Sequence, residues 1–278
     1  MNEKDIKTIV KEKYGRIASQ SETDSNQSCC CGPSSGCCET DYTIFSEKYD
    51  GLQGYEQDAD LGLGCGIPTE FADIRPGNHV LDLGSGAGND CFVARAIVGE
   101  TGNVTGLDFS EEMLAKAQKN ATKLGYANVG FVEGDIEDMP FQNNLFDVVI
   151  SNCVLNLVPD KGKAFKEIFR VLKPGGHFCV SDVVIKGDLP EKLRTDVDMY
   201  AGCVSGALQL DEYLAAIAEA GFHNVQMHKQ RVIQIPDSIL QMYLEPSEME
   251  EYLNGSTGLF SITVSGEILQ KHPDDLAE

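Results

Sequence analysis

Basic residues are scarce: 22 Lys and Arg stand against 44 Asp and Glu, for a formal net charge of −22. Clustered Lys and Arg are what bind phosphate backbones and anionic headgroups, so nucleic-acid and peripheral-membrane roles are disfavoured. No stretch approaches the ~20 apolar residues that span a bilayer. The opening Met1-Asn2-Glu3-Lys4-Asp5 lacks the apolar run of a secretory signal, which points to a cytoplasmic protein. There is no fixed-period repeat, no Gly-x-Ser-x-Gly nucleophile elbow and no Gly-Lys-Ser/Thr phosphate loop. The five histidines show no ligand spacing and are assigned to structure.

What is present is an ordinary globular composition of 278 residues, 42% of them hydrophobic, with 28 Gly and 10 Pro. That length suits one domain with a substantial appendage, or two modest ones. Ten cysteines occupy positions 29, 30, 31, 37, 38, 65, 91, 153, 179 and 203. In a reducing compartment such thiols point to metal, metalloid or redox chemistry rather than a disulfide framework.

Residues 1–18 carry Ile6, Ile9, Val10, Tyr14 and Ile17 at helical spacing, an amphipathic helix that needs a partner surface. Residues 19–40 are polar, small and Cys-rich, and read as a mobile loop. A regular alternation then follows, with strands at 79–83, 103–107, 129–132, 146–151 and 177–181. Helices fall at 88–98, 110–124 (with Ser110 as N-cap) and 160–172, the last closed by Lys173-Pro174-Gly175-Gly176. Strands alternating with helices imply a doubly wound α/β domain with a mostly parallel sheet, over 41–185. Residues 1–40 precede it. Residues 186–278 read as a smaller C-terminal α+β domain or cap, with helices at 190–200, 210–220 and around 237–252 and strands near 223–235 and 259–264.

The segment Val80-Leu81-Asp82-Leu83-Gly84-Ser85-Gly86-Ala87-Gly88 leaves the first strand and enters a helix, and its glycines let the backbone turn tightly against a ligand. Dinucleotide-binding loops want Gly or Ala at the sixth position. Asn89 stands there, which argues against a pyrophosphate. Asp108 closes the second strand, placed to hold ribose hydroxyls, so the implied ligand is a nucleoside.

This pattern resembles the class I S-adenosylmethionine-dependent methyltransferases. The resemblance implies that Asp82, Gly84, Ser85, Gly86 and Gly88 lie against the methyl donor and that Asp108 holds its ribose. It places Asp135 and Ile136, in Glu133-Gly134-Asp135-Ile136, beside the adenine. Phe146-Asp147-Val148-Val149-Ile150-Ser151-Asn152 resembles the fourth strand and its active-site end, which puts Asn152 at the same donor pocket.

Cys153 follows that strand directly, Cys65 lies in Gly64-Cys65-Gly66, and Cys203 lies in Ala201-Gly202-Cys203. Cys91 and Cys179, within a helix and a strand, read as core. Three thiols without imidazole suit a soft, three-coordinate acceptor. Zinc would want four ligands, usually with Cys-x-x-Cys spacing. With Ser151-Asn152-Cys153-Val154-Leu155-Asn156-Leu157, these segments resemble the arsenite S-adenosylmethionine methyltransferases, enzymes of arsenic detoxification. The resemblance implies that Cys65, Cys153 and Cys203 bind trivalent arsenic as thiolates. It also implies that Cys37 or Cys38 forms a disulfide with Cys65 during reduction, and that a thioredoxin- or glutathione-type thiol supplies the electrons. Arsenite or its thiol adducts would be the substrate. Two other functions compete: methylation of a small organic acceptor, and metalloid sequestration without catalysis.

Overall fold

The computed structural model describes residues 3–20, 47–187, 206–234, 240–241, 244–249 and 258–270. Its centre is a seven-stranded sheet of β1 (His79–Leu83), β2 (Asn103–Asp108), β3 (Val129–Glu133), β4 (Phe146–Asn152), β5 (Leu172–Lys186), β6 (His223–Ile233) and β7 (Gly258–Glu267). The spatial order is β3-β2-β1-β4-β5-β7-β6. The first five strands run parallel; β7 is antiparallel to both β5 and β6.

Both faces of the sheet are covered over its inner strands, which explains why these are continuous apolar runs, while the edge strand β6 is largely exposed. Val80, Val104, Val148 and Ile150 face α2 (Asn89–Val98) and Ala121 of α3 (Glu111–Leu124). On the opposite face Leu81, Leu83 and Val149 meet Phe165 and Ile168 of α4 (Lys161–Val171) and Tyr213 and Ile217 of α5 (Leu210–Glu219). The doubly wound α/β reading is correct. An N-terminal helix, α1 (Glu3–Gln20), packs against α3.

Local signals set the element ends. The Ser110 hydroxyl accepts the Met113 N–H at 3.3 Å, the cap expected for α3. Asp160 caps α4 through the Lys163 N–H at 2.9 Å. The strand expected at 177–181 is longer. It begins at Leu172, so Lys173-Pro174-Gly175-Gly176 forms a bulge where the β4 register jumps from Phe146↔Leu172 to Val148↔His177. At its other end, pairing with β7 from His177↔Glu267 to Lys186↔Gly258 carries β5 past residue 185. The strands expected in the C-terminal region therefore join this same sheet. Of the helix expected around 237–252, the described residues 240–241 and 246–249 are helical. The helix expected at 190–200 and most of the Cys-rich segment lie outside the described residues.

Candidate functional site

A cleft enclosing about 780 Å³, part of it open to solvent, lies at the carboxyl ends of β1, β2 and β4, where open α/β sheets bind ligands. The β1–α2 loop forms one wall. Gly84, Gly86 and Gly88 have φ of +64°, +51° and +97°, a backbone that side chains resist. The loop is tied to β2 by the N–H groups of Gly84 and Ser85, which donate to the Leu107 carbonyl at 2.8 and 3.0 Å. A Cβ on Gly86 would meet only Met113 Sδ at 4.0 Å, so that face of the loop is open to a ligand. The Ser85 hydroxyl is buried, lines the cleft and has no hydrogen-bond partner among the described residues.

Asp108 is nearly buried, and each of its carboxylate oxygens accepts one backbone N–H, from Ser110 and from Gly86, both at 2.9 Å. Burial pushes its pKa up, and those N–H groups pull it back. Asp82 and Asp90 form an acidic floor. Burial raises Asp82 well above the carboxylate range, with the neighbouring Asp90 adding to the shift, while the Cys91 thiol donates to it at 3.2 Å. Burial lifts Asp90 to about 6, against the donors Asn152 and Tyr49. With Asp60, four carboxyl groups line the cleft. A cationic, hydroxyl-bearing ligand fits this lining: its charge offsets the cost of ionising buried acids, and the open glycine face and the unpartnered Ser85 hydroxyl give it room and a donor. S-adenosylmethionine, a sulfonium nucleoside, meets that description.

Of the expected thiols, Cys65 and Cys153 are buried and share one apolar cluster with Leu157, Val183, Ile185 and Leu259. Cys153 also lines the cleft, the only cysteine among the described residues to do so. Its φ of +58° lies in the left-handed region, held by its N–H bond to the Ser181 carbonyl at 2.8 Å. Non-glycine residues kept there cost about 1 kcal/mol or more and cluster at functional sites. The Cys65 N–H donates to the Asn152 side chain, and its carbonyl accepts the Ser261 hydroxyl at 2.6 Å. Both thiols act electrostatically on Tyr213, whose phenol is raised first by burial and next by Asp182. Cys37, Cys38 and Cys203 lie outside the described residues. Cys91 and Cys179 are core residues, as expected, and burial raises both thiols.

Asp135 and Ile136 line a smaller cavity that shares Phe109, Val154 and Leu157 with the cleft. Here α1 meets the site. Lys7 pairs with Asp135 at 2.5 Å and with Glu137, and the second Asp135 oxygen accepts the Glu137 N–H at 2.9 Å. Val10 is buried at this junction and Tyr14 lines the main cleft. The sequence reading missed Tyr14, Tyr49, Asp60 and Asp90. Only Asp90 had a local signal, as a carboxylate in the first turn of the helix after the glycine loop.

Residues 74–221 match the family model of a methyltransferase domain. An arsenite methyltransferase of Halobacterium salinarum is 41% identical over 238 residues, 80% of this chain and 59% of that protein. The arsenite methyltransferase of Homo sapiens is 33% identical over 254 residues, 87% of this chain and 64% of that protein. In the crystal structure of CrArsM, an arsenic(III) S-adenosylmethionine methyltransferase from Chlamydomonas reinhardtii, the TM-score is 0.62 at 36% identity. That match covers 76% of this chain and 68% of the other. The chain thus spans less than two thirds of the length of these two curated relatives.

Proposed function

The chain belongs to the arsenite S-adenosylmethionine methyltransferase family, and from that membership we propose that it moves the methyl group of S-adenosylmethionine to trivalent arsenic held by cysteine thiolates. The observation that carries this reading is Cys153, which joins the donor cleft to the cluster that buries Cys65.

Cys65, Cys153 and Cys203 displace the three hydroxides of arsenite as water and hold a pyramidal arsenic. Its lone pair attacks the methyl carbon in line, so an As–C bond forms as the S–C bond breaks and the donor leaves as the thioether. No base is needed at the acceptor. The residues act by placement: near-attack geometry of ~3–3.5 Å supplies several kcal/mol of the barrier. Gly84, Ser85, Gly86, Gly88 and Asp82 seat the methionine and ribose parts of the donor, Asp108 holds the ribose hydroxyls, and Asp135 and Ile136 border the adenine. Methyl transfer formally oxidises arsenic by two electrons. Thiols return them, two sulfurs becoming one disulfide, with Cys37 or Cys38 facing Cys65 and a thioredoxin- or glutathione-type reductant restoring the thiols. Cys203 supplies the third thiolate in this reading. No helix of the described residues is long and apolar enough to cross a membrane; a reducing, cytoplasmic setting is part of the proposal because the chemistry needs thiolates.

The test is incubation of the full chain with methyl-labelled S-adenosylmethionine, arsenite and a dithiol reductant, followed by arsenic speciation. Labelled methylarsenic is expected. Its absence from protein that binds both compounds would leave sequestration as the function.

A further inference from the structure

Asn152 stands between the donor cleft and the Cys65 loop. Its Oδ1 accepts the N–H groups of Cys65 at 3.0 Å and Gly66 at 3.3 Å. Its Nδ2 faces three oxygens: the Tyr49 hydroxyl at 2.7 Å, the Gly66 carbonyl at 2.8 Å and Asp90 Oδ2 at 3.0 Å. A carboxamide has two lone pairs on oxygen and two hydrogens on nitrogen. Both lone pairs are taken and three acceptors compete for two hydrogens, so the group keeps no capacity for a ligand.

The surroundings also decide which way the amide points. Turned by half a rotation, its oxygen would face the Asp90 carboxylate and the Gly66 carbonyl, and its NH₂ would face two N–H donors. Asp90 is itself held by the Tyr49 hydroxyl, at 2.8 and 3.0 Å to its two oxygens. The loop lies directly on this amide: a Cβ on Gly64 would stand 2.6 Å from Asn152 Nδ2, and one on Gly66 2.5 Å from Ser181 Oγ.

We infer that Asn152 is a positioning residue for the Cys65 thiol, oriented by Asp90 and Tyr49, and is not a ligand of the methyl donor. The inference deepens the proposed function, since it rests on Cys65 being an acceptor thiol. Cofactor cleft and acceptor loop are then joined through one side chain, with Asp90 at the cleft end and the Cys65 backbone at the other.

The experiment compares the full-length wild type with Asn152→Ala and Tyr49→Phe. Cys65 is alkylated with iodoacetamide in the absence of arsenic and donor, and followed by peptide mass spectrometry. Cys179, buried in β5, serves as the internal reference. Losing the two backbone hydrogen bonds is expected to speed Cys65 alkylation about tenfold in Asn152→Ala. Tyr49→Phe, which removes the hydroxyl that orients Asn152 together with its own 3.1 Å contact to the Gly66 carbonyl, is expected to give about threefold. Cys179 should keep its rate, and the calorimetric affinity for S-adenosylhomocysteine should stay within about threefold of wild type. An unchanged Cys65 rate in both variants overturns the inference. So does a parallel rise at Cys179, or a loss of S-adenosylhomocysteine affinity with Cys65 unmoved. Should Asn152→Ala not fold, Asn152→Ser takes its place, with the same expected and overturning results. The alkylation contains neither substrate, so its failure leaves the proposed methylation standing, and a failure of wild-type methylation leaves the positioning role standing.

Discussion

Asp108 Oδ2 accepts the Gly86 N–H at 2.9 Å, tying the end of β2 to the middle of the glycine loop. Its other oxygen accepts the Ser110 N–H, and the Phe109 N–H adds to the hold on the carboxylate. The group lines the cleft, where a ribose hydroxyl can donate to it. Asp108→Ala should therefore weaken S-adenosylhomocysteine binding roughly ten- to hundredfold, the range for losing one or more charge-assisted bonds of about 1.5–3 kcal/mol. Calorimetry with an unchanged dissociation constant would contradict the ribose assignment.

Gly84 is sterically committed. At its φ of +64° a Cβ would overlap the Val154 side chain, one residue beyond Cys153. Gly84→Ala combines left-handed backbone strain with overpacking and should cost about 2–4 kcal/mol of stability. Chemical denaturation reads this directly, and a variant as stable as wild type would show that the loop yields without strain.

Cys65→Ser and Cys153→Ser separate acceptor from donor chemistry. Each should abolish arsenite methylation while leaving S-adenosylhomocysteine affinity within about threefold, because a hydroxyl fills the thiol's space but binds arsenic poorly. Full methylation by either variant would remove that cysteine from the mechanism.

Lys7 fastens α1 to the smaller cavity lined by Asp135 and Ile136. Glu137, its partner, has a side chain only 5% exposed, so Lys7→Met would leave a buried carboxylate with less compensation. A loss of about 1–2 kcal/mol is expected, together with faster proteolysis within α1. Equal proteolysis rates would mean that the helix is held by Val10 and its apolar neighbours alone.

Asp182, fully buried on β5, is lifted to about 7 by burial, against Lys161, the Val183 N–H and the Tyr213 hydroxyl. The folded protein keeps this proton up to about pH 7, whereas the unfolded chain loses it near 3.8. The contribution to stability is thus fully present below the unfolded pKa and is lost as pH rises through about 7. Asp182→Asn lacks that proton equilibrium. Wild type should therefore lose stability relative to the variant between pH 4.5 and 7.5. Denaturation midpoints that stay parallel across that window would refute the assignment.

The alternation of apolar runs and capped helices was legible because each signal spans a few residues. Ser110 caps its own helix, and Gly84, Gly86 and Gly88 announce a turn whatever surrounds them. The bulge at 173–176 was not legible, because Pro and Gly end a helix and break a strand with the same chemistry, and only pairing with β4 distinguishes them. The full length of β5 was hidden for a similar reason, since it is set by β7, more than seventy residues on.

The sequence alone determined the doubly wound sheet, the glycine loop and the carboxylate that faces it, all governed by spacing along the chain. Tertiary structure decided the polar network behind the thiols. Tyr49 and Asn152 are 103 positions apart, and Cys65 and Asn152 87. No local pattern predicts that one amide will serve both. It does so because this half-buried carboxamide finds its donors and acceptors within the protein, and only the packed sheet brings those partners into reach.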